Sequence, residues 1–255
     1  MRALIRRLAE SLRSLRLVDN RELHLLHEQI HLHRLFGFLK IDCVFDIGAN
    51  SGQYASMIRR KAGFGGRIIS FEPIPQEADR IRQLAARDPS WTLEELAVAG
   101  ESGARDFNIM GSSRFSSLAH PRHDEVEIFR DCNRVKETIS VRTETLSSVF
   151  NRLRQKFAFH RPFLKMDTQG FDVEVVRSGS EVIQQFLGLQ SELAVKKIYD
   201  QSVDFREAIS FYQSCGFELS AMVPNNGGHF PGLIELDCIM IRRDLFDESF
   251  RKLSR

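Results

Sequence analysis

The spacing of apolar and polar positions changes character near residue 40. Before it, residues 3–17 and 20–36 carry apolar side chains at helical spacing, which predicts two amphipathic helices. After it, short continuous apolar runs alternate with segments of helical periodicity, beginning with the run at 41–48. Apolar runs of this length, bounded by glycine or proline, are typical of buried strands. We therefore divide the chain into an N-terminal helical extension, 1–39, and a larger unit of alternating elements, 40–243.

The larger unit is predicted to form one α/β sheet. The predicted strands are 41–48, 66–73, one within 91–100, 162–170, 186–195, 217–223 and 233–243. The predicted helices are 52–62, 75–87, 205–216 and one that begins near Phe171. Regular alternation of strand and helix predicts a parallel sheet with helices on both faces. The last two strands are joined by only about ten residues, too few for a helical crossover, so we expect them to pair antiparallel.

The segment of about 101–160 interrupts the alternation. It contains candidate strands near 104–109 and 138–143, a polar loop between them, and a helix near 145–157. We interpret it as an insertion over the edge or mouth of the sheet rather than a separate domain. A C-terminal helix is predicted over 244–255.

Composition and charge describe an ordinary globular protein of 255 residues, 42% hydrophobic and 27% charged. The 36 basic and 34 acidic residues leave a net charge of +2, so no overall field points to a nucleic-acid partner. No apolar run reaches the roughly 18 residues that span a bilayer. The cysteines form no CxxC pair, which favours a reduced, cytoplasmic protein and argues against structural zinc. They are Cys43, Cys132, Cys215 and Cys238.

The predicted first helix carries five arginines in the first sixteen residues against one glutamate. One interpretation is peripheral docking to an anionic membrane, which would suit a lipid-linked substrate. The alternative is a helix that covers the sheet edge or pairs with a second subunit in a homo-oligomer.

Four histidines lie on the predicted second helix, and three of them share a face with Glu28 nearby. They are His24, His27, His31 and His33. Their spacing resembles a metal-binding face, but such a stripe is more often the polar side of an amphipathic helix. We predict no metal site.

The sequence FDIGANSGQYA, residues 45–55, is the first candidate for binding chemistry. Ligands of open α/β sheets bind beyond the carboxyl ends of the strands, at the switch point beside the first strand. Gly48 and Gly52 allow a tight turn and close approach of the backbone. The loop lacks the Gly-Lys-Ser/Thr ending of a triphosphate loop and the third glycine of the dinucleotide fingerprint. Asp46 would also oppose a pyrophosphate at the helix N-terminus, so it favours a ligand with a cationic centre.

Glu72 ends the second predicted strand, where a carboxylate can accept hydrogen bonds from both hydroxyls of a ribose. Charged hydrogen bonds of this kind are worth about 1.5–3 kcal/mol each. NAD would satisfy Glu72 but not the loop. S-adenosylmethionine satisfies both, because it has a ribose diol and a sulfonium but no phosphate.

A set of motifs in this order and spacing resembles a known family. The motifs are DIGANSGQYA, FEPIP, KMDTQGFDVEVVRSG, QSELAVKKIYD and CGFELSAMVPN…ELDCIMIRR. They are similar to the FkbM-type S-adenosylmethionine-dependent methyltransferases over residues 40 to 243. The resemblance implies a Rossmann-like seven-stranded sheet with strand order 3-2-1-4-5-7-6 and an antiparallel last strand. It also implies O-methylation of a hydroxyl on a sugar, glycolipid, polyketide or similar secondary metabolite.

Two regions match nothing in that resemblance: the residues before 40 and the inner part of 110–137. We expect these regions to choose the acceptor. The residues expected to contact S-adenosylmethionine are Asp46, Gly48, Ala49, Asn50, Gly52, Gln53, Tyr54, Glu72, Pro73, Ala97 and Asp167.

Asp167 and Glu192 are the first candidates for catalysis, because each ends a predicted central strand. Asp167 is expected to act as the base, or to hold the acceptor or the methionine amine. The alternative is a cap for the following helix, since aspartate is a favoured N-cap. Lys165 lies on the same side of the strand, and an ion pair would keep Asp167 ionised. Glu192 interrupts a buried apolar run and calls for a ligand or a partner, the alternative being an ion pair with Lys196 or Lys197.

Loop residues supply further candidates. His229 lies in the loop between the last two strands and is a third candidate base, with His120 and His123 of the inserted loop as lesser ones. The serines of the same loop could close over the cofactor or acceptor, or belong to a flexible polar loop; they are Ser112, Ser113, Ser116 and Ser117.

Two other functions remain open at this point. One is a non-catalytic scaffold or sensor that binds S-adenosylmethionine, against which the intact acidic set argues. The other is an NAD-dependent oxidoreductase, against which the missing third glycine and Asp46 argue.

Overall fold

The computed structural model of the protein describes residues 23–124, 126–224 and 231–247. The helices are α1 (Leu23–Leu39), α2 (Gln53–Arg60), α3 (Pro75–Ala85), α4 (Leu146–Phe157), α5 (Asp172–Ser178) and α6 (Phe205–Ser214). The strands are β1 (Cys43–Ile47), β2 (Arg67–Phe71), β3 (Trp91–Glu94), β4 (Ala97–Val98), β5 (Gly103–Met110), β6 (Val135–Glu144), β7 (Pro162–Met166), β8 (Gly188–Ala194), β9 (Phe217–Pro224) and β10 (Glu235–Arg242).

The main sheet has seven strands in the order β3-β2-β1-β7-β8-β10-β9. Strand β10 runs antiparallel to both of its neighbours, and the remaining pairs of the sheet are parallel. Counted along this sheet alone, the order is 3-2-1-4-5-7-6. The predicted fold class and the antiparallel end of the sheet are therefore confirmed.

Helices cover both faces of the sheet because alternate residues of its strands point to opposite faces. Phe45 of β1 packs with Phe150 of α4 in one core, which also takes apolar residues of α5 and α6. Val44 belongs to the opposite core, which is built with α1, α2 and α3. In that core, the Phe36 ring of α1 lies edge-on to Phe163 of β7.

The segment 91–100 contains the predicted third strand as β3, and it also contains a short strand, β4, that belongs to a second sheet. Strand β3 pairs with β2, whereas Ala97 and Val98 of β4 pair with Thr143 and Glu144 of β6. Strands β4, β6 and β5 form a small second sheet. Within the segment 101–160, the β5–β6 hairpin belongs to this second sheet, whereas α4 packs into the main core.

Several predicted features lie outside the described residues: the helix at 3–17, His229 and most of the helix at 244–255. Residues 244–247 of that last helix are described and are helical. Across the described ranges, we find no helix with the length and apolar character needed to cross a bilayer.

Candidate active site

A cavity of about 630 Å³ lies at the carboxyl ends of the central strands. This volume is within the range of about 300–1,000 Å³ that is usual for small-molecule sites. The predicted cofactor-binding and catalytic residues that line it are Gly48, Ala49, Asn50, Gln53, Tyr54, Glu72, Pro73, Ala97, Asp167 and Glu192. The structure thus brings residues from widely separated parts of the chain to one cavity.

The loop after β1 depends on its first glycine. Gly48 has φ +74°, and a Cβ atom there would lie 2.0 Å from the carbonyl oxygen of Asp167. The Gly48 and Ala49 N–H groups donate to the Phe71 carbonyl at 3.1 and 3.0 Å, which holds the loop against the end of β2. Gly52, at φ +80°, packs against Trp91 and precedes α2 without lining the cavity. Glycine is therefore required at position 48 for two reasons: its backbone has a positive φ angle, and there is no space for a Cβ atom.

Glu72 holds the same loop through both of its carboxyl oxygens. Its Oε2 accepts the Asn50 N–H at 2.7 Å, and its Oε1 accepts the Ile74 N–H at 2.8 Å. Burial raises the pKa of Glu72 to about 8, although the two backbone hydrogen bonds oppose the shift. Each carboxylate oxygen has two lone-pair sites, so capacity remains for ligand hydroxyl groups on the side that lines the cavity.

Asp46 lies beneath the cavity rather than in its wall. Its side chain is fully buried, accepts a hydrogen bond from Ser70 Oγ at 3.0 Å, and lies 3.6 Å from Lys165 Nζ. Burial raises the pKa of Asp46, and the charge of Lys165 opposes that rise. In the described residues, Asp46 thus interacts with the buried lysine instead of facing the cavity, where the sequence had suggested a cationic ligand.

Asp167 and Glu192 form a pair whose pKa values are shifted in opposite directions. Lys165 Nζ lies 3.3 Å from Asp167 Oδ2, which confirms the predicted ion pair. Burial alone raises the pKa of Asp167, but the charge of Lys165 and a hydrogen bond from Gln169 outweigh burial and lower it. Burial and the adjacent charge of Asp167 raise the pKa of Glu192 well above its ordinary value. Asp167 is therefore the member of the pair that favours the ionised form, Glu192 is the member that favours the protonated form, and the two carboxyl groups are hydrogen-bonded.

The alternative role of Asp167 as a helix cap is wrong. Helix α5 has Phe171 at its N-cap, so Asp167 lies four residues too early. Asp172 satisfies the neighbouring backbone instead, accepting the Thr168 N–H at 2.9 Å and the Glu192 N–H at 3.1 Å.

The inserted loop contributes to the cavity through part of its predicted polar set. Ser113 and Ser116 line the cavity, as does Arg114. Ser117 Oγ lies 3.0 and 2.9 Å from the carbonyl oxygens of Thr168 and Gln169, which ties the loop to the segment after β7. Ser112, His120 and His123 do not line the cavity, and the ring of His123 contacts the backbone of Asn133.

Two of the histidines of α1 make contacts with neighbouring elements of the protein. His31 Nε2 lies 2.9 Å from Ser220 Oγ, and His33 Nδ1 lies 2.8 Å from the Ala62 carbonyl oxygen. In the part of the chain that the structure describes, no group of three or more His, Cys, Asp or Glu residues is placed to hold a metal ion.

Sequence reasoning missed several polar residues of the cavity: Glu28, Gln190, Glu235 and Asp237. Gln190 and Asp237 each interrupt an apolar strand, the same signal that singled out Glu192. Glu28 had no such signal, because only the packing of α1 brings it to a site formed mainly by residues after position 46.

The cavity fits S-adenosylmethionine on its own geometry. The glycine loop leaves bare backbone at one side, Glu72 offers acceptors for a ribose diol, and the ionised Asp167 offers a negative charge for a cationic group. An ionised carboxylate in this position can also accept a proton.

Comparison with known proteins agrees with this geometry. Residues 46–219 match the family model described as the methyltransferase FkbM domain. A curated relative, the 2-O-methyltransferase NoeI of Sinorhizobium fredii, is 26% identical over 191 residues, which cover 71% of this chain and 74% of the relative.

Among solved structures, the methyltransferase FkbM of Methylobacillus flagellatus superposes with a TM-score of 0.50 at 11% identity. The match covers 78% of this chain and 43% of that protein, so this chain spans less than half its length. The magnesium protoporphyrin IX methyltransferase of Synechocystis, solved with bound SAM, matches with a TM-score of 0.44 at 9% identity over 90% of this chain and 86% of that one. The family match confirms the predicted family and, with it, S-adenosylmethionine as the cofactor. The match over residues 46–219 and the strand order of the main sheet together establish that this chain belongs to the FkbM family of methyltransferases.

Proposed function

We propose that this protein transfers a methyl group from S-adenosylmethionine to a hydroxyl group of a sugar, glycolipid or secondary metabolite. The observation that carries the proposal is the ionised Asp167 carboxylate, which lines the same cavity as the glycine loop and Glu72. The name of the curated relative, a 2-O-methyltransferase, supports oxygen as the receiving atom.

One end of the cavity has the groups that would hold the cofactor. Glu72 would accept the ribose hydroxyls, and the backbone after β1 would lie along the ligand. Pro73, Ala97 and Phe107 give this end an apolar wall that suits the adenine ring. When bound, S-adenosylmethionine supplies an electrophilic methyl group on a sulfonium.

The residues of the chain contribute alignment and proton removal. Holding two reactants in line can lower a barrier by about 7–11 kcal/mol. A positioned base adds about 10²–10⁴-fold, and Asp167 has the charge and the access for this role. Lys165 keeps Asp167 ionised in the resting protein.

The other end of the cavity suits a hydroxylated acceptor with an apolar side. Phe115 and Phe129 pack against each other with ring centroids 5.1 Å apart, and both line the cavity. Carboxyl and amide groups of β8 and β10 face the same space, among them Gln190 and Asp237. Such groups accept and donate the hydrogen bonds that hydroxyl groups require.

Calorimetry tests the cofactor, and methyl transfer tests the acceptor. Titration with S-adenosylmethionine and with S-adenosylhomocysteine should release or absorb measurable heat, and no heat with either would overturn the proposal. Tritiated S-adenosylmethionine is then supplied with a panel of methyl glycosides and with extracted glycans and lipids. Label in an ether-linked methyl group is the expected result. A scaffold or sensor would be favoured instead by a protein that binds the cofactor but gives no labelled product. In that case, the mass spectra of glycans and lipids from cells with and without the protein would also be identical.

A further inference from the structure

Gln169 joins the two carboxyl groups that line the cavity. Its Nε2 donates to Asp167 Oδ1 at 2.8 Å and also donates to Glu192. Its Oε1 accepts a hydrogen bond from the Tyr199 hydroxyl at 2.8 Å. The Tyr199 hydroxyl is also 2.8 Å from the carbonyl oxygen of Phe115, in the inserted loop. One tyrosine therefore connects the loop over the cavity to the amide that holds both carboxyl groups.

A second group of the same construction lies in the same cavity. Gln190 Nε2 donates to Glu28 Oε1 at 2.7 Å and to Asp237 Oδ1 at 3.3 Å, while its Oε1 accepts from the Tyr54 hydroxyl at 3.1 Å. This group joins α1 to β10 and does not include Asp167. It therefore provides an internal control for the first one.

An amide is suited to this position because it supplies two N–H donors without adding a charge. Two adjacent carboxylates repel each other, so a pair is stable when it holds one proton and its remaining oxygens meet donors. The carboxyl oxygens require donors, so they orient the amide nitrogen towards themselves. The amide oxygen then faces the Tyr199 hydroxyl, whose single proton is shared between this oxygen and the Phe115 carbonyl.

The backbone conformation at Gln169 is a second observation that singles out this residue. Its φ is +53°, in the left-handed region that favours glycine, and Gly170 follows it at φ +99°. Residues held in this region cluster at functional sites, where the surrounding structure maintains them.

We propose that Gln169 is a positioning residue that holds Asp167 and Glu192 as one proton-sharing pair, with Tyr199 fixing the amide, so that the Asp167 carboxylate faces the acceptor. The role of the pair as base rests on the proposed function. The proton that leaves the acceptor hydroxyl then resides on the pair, whose charge changes from −1 to 0. The charged and titratable groups that act on the pair from neighbouring elements are Asp46, Lys165, Asp172, Glu235 and Asp237.

Two matched pairs of variants test the proposal without any cofactor or acceptor. Gln169→Leu and Gln190→Leu each remove an amide that bridges two carboxyl groups, with no change of charge. Tyr199→Phe and Tyr54→Phe each remove the hydroxyl behind one amide. The readout is the ¹³C titration of aspartate and glutamate carboxyl groups in labelled full-length protein. We expect Gln169→Leu, and to a smaller extent Tyr199→Phe, to move the Asp167 titration to higher pH, because the ionised form loses a hydrogen bond. Gln190→Leu and Tyr54→Phe should shift that titration much less, because they reach Asp167 only through the charge of Asp237.

A turnover measurement then separates positioning from packing. With an acceptor identified from the glycoside panel, Gln169→Leu should lower kcat by about 10²-fold while the dissociation constant for S-adenosylhomocysteine is retained. No shift of the Asp167 titration in Gln169→Leu, or equal shifts in both leucine variants, would overturn the proposal. Should Gln169→Leu fail to fold, Tyr199→Phe against Tyr54→Phe decides the question in the same way. Failure of the wild-type protein to bind S-adenosylmethionine would refute the proposed function and leave the carboxyl titration as a valid test of the pair.

Discussion

Glu72 should make cofactor affinity depend steeply on pH. Both of its oxygens accept backbone N–H groups, and burial raises its pKa to about 8. Ribose hydroxyls donate hydrogen bonds, and donors favour the ionised form of a carboxyl group. Below a pH of about 8, cofactor binding should therefore release one proton from Glu72, and affinity should rise with pH.

The size of the effect follows from the ionised fraction of the carboxyl group. With a pKa of about 8, roughly 1% of Glu72 is ionised at pH 6 and about 90% at pH 9. The dissociation constant should then fall by about 90-fold over this interval, or about 2.7 kcal/mol of binding free energy.

Calorimetry with S-adenosylhomocysteine from pH 6 to pH 9 measures this dependence. Buffers with different ionisation enthalpies count the protons released. Glu235 provides a matched control, because it lines the same cavity and burial raises its pKa to about 8 as well. We expect Glu72→Gln to abolish most of the dependence and Glu235→Gln to preserve it. A flat profile in the wild-type protein, or loss of the dependence in Glu235→Gln alone, would refute the assignment of the proton to Glu72.

The same pKa has a consequence for folding without cofactor. A carboxyl group whose pKa is raised in the folded protein favours folding most below its ordinary pKa, 4.5, and less as the pH rises through about 8. The free energy of unfolding should fall by about 5 kcal/mol between pH 4.5 and pH 8, because this interval of 3.5 pH units corresponds to 1.36 kcal/mol per unit. Glu72→Gln should remove this decline of stability with pH. The variant should also lose about 1–3 kcal/mol of stability at every pH, because one backbone N–H is left without an acceptor. Urea unfolding at pH 6 and pH 9 measures both, and about 2.7 kcal/mol of the decline is expected within this interval, from the 2 pH units between pH 6 and the pKa of about 8.

Three further substitutions test other parts of the site. Gly48→Ala should destabilise the fold by about 2–5 kcal/mol, because the added Cβ would lie 2.0 Å from a carbonyl oxygen. Gly65→Ala is the control and should change stability little, because no atom lies within 4 Å of a Cβ at that position. Equal unfolding midpoints for the two variants would contradict the steric argument. Asp167→Asn should lower methyl transfer by about 10²–10⁴-fold with S-adenosylhomocysteine affinity retained, and unchanged turnover would remove it as the base. Lys165→Met leaves Asp46 and Asp167 without their buried cation and should cost about 3–5 kcal/mol, measured by urea unfolding. That cost should be smaller at pH 5 than at pH 8, since protonation then relieves the carboxylates; the same cost at both pH values would argue against an electrostatic origin.

The fold was largely predictable because its signals are local. Each apolar run of the main sheet is bounded by glycine, proline or a polar turn, and strand-to-helix alternation restricts the topology. The exception to this predictability is the segment 91–100, in which the sequence predicts one strand and the structure has two. Its residues have strand character throughout, and only the pairing of β4 with β6 shows that two sheets divide it.

The site was predictable only where its residues share a motif or end a central strand. Gly48 and Glu72 lie beside the cavity because parallel strands place their carboxyl ends at one edge of the sheet. Asp46 is the next-to-last residue of β1, and its side chain meets Lys165 of the neighbouring strand β7 instead of lining the cavity. Which side chains of adjacent strands meet depends on strand pairing, which no single segment specifies.

The α/β class, the glycine loop and the acidic residues at the strand ends were therefore accessible from the sequence, because periodicity and backbone sterics operate over a few residues. The strand order came from the family resemblance. The partners of each carboxyl group, including the amide and tyrosine that hold Asp167 and Glu192, became known only from the folded protein. Glu28, Gln190 and Tyr54 lie far apart in the chain and meet through packing of α1 and α2 on the sheet. The protonation of each carboxyl group depends on burial and on charges brought together by that packing, and neither quantity exists in the unfolded chain.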